Sequence, residues 1–136
     1  MPQSPELRLE EEIFGQPLIV ESSDMRIFSL LMADPNPLHF DPSAVLARGM
    51  GDRVINQGTL NVAYVINIVL ELVRGPAQLK SFRCRFLANV FEGETVGARG
   101  RVSAIERETA TVELWLERGN GERVLEGSAT ITLEKQ

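Results

Sequence analysis

The chain has 136 residues, of which 43% are hydrophobic and 24% charged, and it carries a formal net charge of −5. This length and composition suit one globular domain with one core, so residues 1–136 are expected to form a single domain opened by a polar leader over 1–15. The acidic balance argues against a nucleic-acid partner, which needs clustered Lys and Arg. One cysteine, Cys84, and one histidine, His39, leave neither an internal disulfide nor a zinc ligand set, so no metal is expected.

The leader lacks a basic segment followed by an apolar run, so a cytoplasmic location is expected. Residues 17–21 (PLIVE) read as a short strand, and Ser22, Ser23 and Asp24 offer N-caps for a helix over MRIFSLLMA. That helix must stop near Asp34, because Pro35 and Pro37 remove donors and push the preceding residues out of the α region. The segment DPNPLHF is therefore a stiff, irregular loop. Asp41 and Pro42 read as the N-cap and first residue of a short helix through Ala47, ended by Gly49 and Gly51.

Over 58–74 the polar residues Asn61, Tyr64, Asn67, Glu71 and Arg74 recur every three or four positions among apolar neighbours. This spacing predicts a long helix, buried on most of its circumference and ended by Gly75 and Pro76. Its apolar stretch is too short and too interrupted to span a bilayer, and no membrane partner is expected. Everything beyond Pro76 alternates with period two and predicts four strands. Phe82, Cys84, Phe86 and Ala88 share the inner face of the first; Val96, Ala98, Val102 and Ala104 that of the second. Ala110, Val112, Leu114 and Leu116 face inward on the third, and Leu125, Ala129, Ile131 and Leu133 on the fourth, with a hairpin turn at Gly119-Asn120-Gly121. The result is an α+β arrangement, an antiparallel β-sheet wrapped around a long central helix. Such a sheet has free edges, commonly managed by pairing with a second copy, so a homodimer is expected.

Several residues could carry chemistry. His39 is the one side chain whose ordinary pKa, about 6.5, makes it an acid or base near neutrality, and it follows Asp34 by five residues. From spacing alone the two read equally as a turn residue and an ordinary loop histidine, but a rigid loop on a scaffold favours function. Asn36 can stabilise the turn or orient a water, and Asp41 reads as a helix cap before a functional carboxylate. Gly58 opens the long helix, where the first N–H groups lack intrahelical acceptors and attract negative charge; its bland reading is a permissive turn residue. Arg83 and Arg85, like Arg99 and Arg101, fit a solvated sheet face better than a phosphate site. Cys84 fits the core better than a nucleophile.

The segment ADPNPLHFDPSAVLARGMGDRVINQGTL (33–60) resembles the MaoC-like dehydratases and (R)-specific enoyl-CoA hydratases, whose signature runs roughly SGDxNPxHxDxxxAxxxG and then IxxG at a helix start. Asp34, Asn36, Pro37, His39, Asp41, Ala44 or Ala47, Ile55 and Gly58 match it. A second feature of that family, RFxxPVxxGxT, is similar to RFLANVFEGETV at 85–96. The resemblance implies a hot-dog fold and an acyl-thioester substrate on CoA or acyl carrier protein. It implies no separate cofactor, CoA or phosphopantetheine being part of the substrate. It further implies that Asp34 and His39 activate a water against a trans-2-enoyl thioester while the Gly58 N–H stabilises the enolate oxygen, with Asn36 and Gln57 in support. Three positions depart from the family: Gln57 where a histidine is usual, Ala33 where glycine is common, and Asn89 where proline stands. Gln57 still donates and accepts, so a changed acyl preference is expected.

Two other functions compete. A thioesterase of the same fold tends, by resemblance, to carry a carboxylate in or near the long helix, and here that could only be Glu71, near its far end. A non-catalytic acyl-binding subunit would more naturally have lost Asp34 or His39.

Overall fold

In the computed structural model, which describes residues 7–75 and 78–133, an antiparallel six-stranded sheet curls around one helix. The alternating segments become β3 (Leu79–Phe86), β4 (Thr95–Ile105), β5 (Thr109–Arg118) and β6 (Arg123–Thr132), and the apolar helix becomes α3 (Gly58–Leu70). Two short strands, β1 (Glu12–Phe14) and β2 (Leu18–Ile19), pair with β4, so the sheet runs β1-β4-β5-β6-β3 with β2 also on β4. Between β2 and α3 lie α1 (Ser22–Leu31), a 3-10 turn over Pro37–His39, and α2 (Pro42–Ala47).

Period-two alternation decides which side of the sheet meets α3. Val96, Ala98, Val102, Val112, Leu114, Leu116, Leu125, Ala129 and Ile131 are buried and pack with Val65, Ile68 and Val69 of the helix. Burying each large apolar side chain contributes about 1.5–3 kcal/mol before chain entropy is counted. The outward residues pair across strands: Arg101 with Glu113 at 2.5 Å, Arg85 with Glu126 at 2.6 Å and Arg99 with Glu117 at 2.7 Å. These arginines thus lie on the solvated face expected of them, where such pairs add little stability. Cys84 packs against the core from β3, and burial pushes its thiol pKa up. β6 and β3 approach so closely at Gly127 that a Cβ there would lie 2.1 Å from the Arg83 carbonyl oxygen. Only glycine fits that crossing.

Several expectations change. The leader is not merely polar: β1 lies within it, Leu7 and Ile13 pack on the core, and residues 1–6 lie outside those described. The strand expected over 17–21 shortens to β2. Helix α1 starts at Ser22 itself, so Glu21 takes the N-cap position without a side-chain cap, and Ser22, Ser23 and Asp24 fall inside the helix. The helix expected to run to residue 74 ends at Leu70, where a Leu72 N–H to Val69 carbonyl bond of 2.9 Å turns Leu72 and Val73 back onto the core. Pro76 lies outside the described residues. Phe86, expected on the inner face, is 55% exposed at the end of β3, with its ring against Gly58. Among the described residues no helix is long and apolar enough to cross a membrane.

Candidate active site

Asp34 owes its position to the way α1 stops. The Asp34 N–H donates to the Ser29 carbonyl at 2.9 Å and the Ala33 N–H to the Leu30 carbonyl at 3.3 Å, the pair of bonds that defines a Schellman C-cap. Ala33 is the left-handed residue of that motif, with φ +50°. Glycine is the usual occupant because an L side chain crowds its own backbone there. The prolines then keep the chain from re-entering the helix.

Beyond Asp34 the loop is held by its own side chains. Asp34 Oδ1 accepts the Asn36 N–H at 3.0 Å, and Asn36 Oδ1 accepts the Leu38 N–H at 3.1 Å, capping the 3-10 turn over Pro37–His39. Asn36 is therefore a turn residue. Asp41 Oδ1 accepts the Ser43 N–H at 2.9 Å with Pro42 next in line, so Asp41 caps α2. Leu38, Val45 and Ile55 form a second small core beneath the loop, with Ala44, Met50 and Phe91 packed against it.

His39 stands over this core with its side chain 12% exposed, facing Asp34 at 38%. Its Nδ1 lies 2.7 Å from the Ile55 carbonyl oxygen. A carbonyl only accepts, so Nδ1 carries the hydrogen, and in the neutral ring Nε2 presents its lone pair. That lone pair faces Asp34 Oδ2 at 3.5 Å. Two acceptors at this separation do not bond each other, but both can accept from one water, which each then polarises. The Ile55 N–H in turn donates to the Leu38 carbonyl at 2.8 Å, so Ile55 grips the loop on both sides of its backbone.

Ile55 also leads into α3, three residues before Gly58. Gly58 is the first residue of that helix, and no side-chain cap satisfies the helix start at Gln57. Its N–H has no carbonyl four residues back within the helix, and the helix start there favours negative charge. A Cβ on Gly58 would come within 3.1 Å of the Phe86 ring. Gln57 is 2% exposed, and its Nε2 donates to the Met25 carbonyl at 2.8 Å and Ser29 Oγ at 2.9 Å. It thus ties α1, whose C-terminal cap leads into Asp34, to the start of α3. No group of three or more metal-ligating side chains gathers anywhere among the described residues.

The structure therefore brings Asp34 and His39 together and links their loop to the Gly58 helix start. Reading by residue type missed Ile55, whose contribution is a backbone carbonyl; its only trace in the sequence is the isoleucine of the IxxG pattern. It also missed Ser29 and Met25, which receive the Gln57 amide.

The family model for the MaoC-like domain matches residues 6–118. Direct sequence comparison with curated proteins finds no match. Among solved structures, the chain is similar to an (R)-hydratase from A. caviae involved in PHA biosynthesis, at 22% identity and a TM-score of 0.85, covering 94% of this chain and 98% of that one. It is similar to the R-hydratase PhaJ1 from Pseudomonas aeruginosa, at 19% identity and a TM-score of 0.83, over 96% and 84% of the two chains. A third similar structure is the C-terminally truncated HadBC (3R-hydroxyacyl-ACP dehydratase) complex from Mycobacterium tuberculosis, at 19% identity and a TM-score of 0.74, over 90% and 95%. At these identities the likeness establishes the fold, the hot-dog arrangement of a sheet around a helix. With the family model spanning most of the chain, the protein belongs to the MaoC-like domain family.

Proposed function

We propose that the protein is a hydro-lyase that reversibly hydrates trans-2-enoyl thioesters, of CoA or acyl carrier protein, to (R)-3-hydroxyacyl thioesters. The observation that carries this reading is the pair of converging acceptors, His39 Nε2 and Asp34 Oδ2, 3.5 Å apart with His39 Nδ1 bonded to Ile55. A water held by both gives up a proton as its oxygen bonds to the β-carbon. The electron pair of the double bond moves onto the thioester oxygen, where the Gly58 N–H meets it. The enolate then takes a proton at the α-carbon. Addition thus consumes one water and releases nothing; the reverse sequence dehydrates the 3-hydroxyacyl thioester. Gln57 and Asn36 act through the backbone they hold, and no cofactor beyond the thioester carrier takes part.

The active form is a homodimer on this reading. β3 ends the sheet, pairing only with β6 among the described residues, and α1 presents Leu30 and Leu31 to solvent at 83% and 75% exposure. A paired edge and a covered apolar helix are the expected response. Light scattering checks it against the 15.1 kDa of one chain. The expected compartment is the cytoplasm, which cell fractionation tests.

The decisive assay incubates the protein with crotonyl-CoA, longer trans-2-enoyl-CoAs and the same acyl groups on acyl carrier protein, following both conjugated-enoyl absorbance and free thiol. Hydration without thiol release is expected, with Asp34→Asn and His39→Gln each lowering kcat/KM by roughly 10²–10⁴-fold. Thiol release without hydration would mark a thioesterase, although Glu71 caps the far end of α3 from Gly58. Binding of acyl thioesters without turnover would mark an acyl-binding subunit.

A further inference from the structure

The start of α3 carries buried polar side chains that the proton chemistry above does not use. Gln57 at the N-cap, Asn61 and the half-buried Tyr64 stand at i, i+4 and i+7, one stripe along a helix whose other polar residues, Thr59 and Asn67, are exposed. Asn56, just ahead of them, donates from Nδ2 to Asn61 Oδ1 at 2.8 Å and to the Tyr64 hydroxyl at 3.2 Å. Asn56 and Asn61 are each 3% exposed. Two acceptors in this cluster, Asn56 Oδ1 and Gln57 Oε1, are buried without a hydrogen-bond partner among the described residues. Native cores leave few such groups, and apolar side chains would fill the same helix face without that penalty.

We propose that this stripe recognises a hydroxyl on the acyl chain, so that the preferred substrates are trans-2-enoyl thioesters hydroxylated beyond the β-carbon rather than plain alkyl ones. The inference rests on the placement of the thioester oxygen at Gly58. From there Asn61 and Tyr64 lie about 4.5 and 9 Å further along the helix axis, at about 1.5 Å per residue, where an acyl chain running beside the helix would meet them. The chemistry selects a hydroxyl because it is donor and acceptor at once. Its hydrogen answers an unpaired amide oxygen, and its lone pairs take the Tyr64 hydrogen, which Asn56 leaves free by donating to that hydroxyl. Rotating the Asn56 and Asn61 amides together exchanges their roles but still leaves one atom of Asn56 unpaired, and a hydroxyl serves either arrangement. The Gln57 amide cannot rotate, because the Met25 carbonyl accepts only.

An ordered water offers the same O–H chemistry, so the test must separate the two sources. The experiment measures kcat/KM for hydration of trans-2-hexenoyl-CoA and of its 4-, 5- and 6-hydroxy counterparts, with the wild-type protein, Tyr64→Phe and Asn61→Leu. At least one hydroxylated substrate is expected to exceed the alkyl parent by about tenfold or more. Each variant should lower that ratio about tenfold while keeping the alkyl rate within about threefold of wild type. No preference for any hydroxylated substrate, or a preference that neither variant changes, overturns the proposal and leaves water as the partner. Tyr64→Phe removes a single oxygen and carries the test alone if Asn61→Leu does not fold. Failure of the wild-type protein to hydrate any of these four substrates would bring down the hydratase reading itself, and this inference with it.

Discussion

Replacing Ala33 with glycine tests how Asp34 is held. Ala33 occupies the left-handed position of the α1 C-cap at φ +50°, a conformation that costs an L residue about 1–2 kcal/mol. Glycine removes that cost but raises the entropy of the unfolded chain, which takes back about 0.4–1 kcal/mol. The balance for Ala33→Gly is a stabilisation of roughly 0.5–1 kcal/mol. With a urea m-value of about 1–3 kcal/mol/M, the unfolding midpoint should rise by a few tenths of a molar, measured at one fixed protein concentration so that self-association cannot shift it. Ala33→Val, β-branched and strained at positive φ, should shift the midpoint the other way. Because both hydrogen bonds of the cap come from the backbone, hydration by Ala33→Gly should stay near the wild-type rate. A destabilised Ala33→Gly, or an Ala33→Val as stable as wild type, would refute the left-handed cap as the device that positions Asp34.

Other expectations follow from particular contacts. Gly127→Ala places a methyl 2.1 Å from the Arg83 carbonyl oxygen and 2.8 Å from the Cys84 Cα; forcing β3 off β6 should cost about 1–3 kcal/mol or more, with amide-exchange protection lost first in those two strands. Gly58→Ala meets the Phe86 ring at 3.1 Å, but that ring is half exposed and can swing away. Stability should therefore hold while, on the proposed mechanism, kcat/KM for hydration falls about tenfold or more, because a methyl beside the Gly58 N–H would crowd an approaching thioester oxygen. For Tyr64, burial raises the pKa most, the Asn56 hydrogen bond lowers it and Asp24 raises it further, leaving it above its ordinary 10.0. The folded state thus holds this proton more tightly than the unfolded one. Stability should not depend on it below pH 10.0 and should fall as pH rises through the higher folded value. Tyr64→Phe should flatten that alkaline decline in a denaturation series.

Much of this architecture was legible in the residue order because it depends on local periodicity. Alternation along 95–132 marks the buried sides of β4, β5 and β6, since a strand turns its side chains by halves whatever it packs against. The caps at Asp41 and the turn at Asn36 were readable for the same reason: their partners lie two residues away. The motif around Asp34 and His39 pointed to the pair, though not to its geometry.

Contacts between distant segments were decided only in three dimensions. Which nitrogen of His39 carries the hydrogen depends on the Ile55 carbonyl, sixteen residues on and on a different element. The placement of Gln57 could not be read locally, because its amide nitrogen is held by Met25 and Ser29 of α1, a distant segment. The polar spacing of α3 did not show which of those residues is buried, but Asn61 lies in the interior with its Oδ1 accepting from Asn56. β1 was invisible in a leader rich in Glu and Pro, since its pairing comes from the β4 edge and not from its own alternation. Composition and period determined what each segment could become; closing the sheet around α3 decided which backbone groups meet at Asp34, His39 and Gly58.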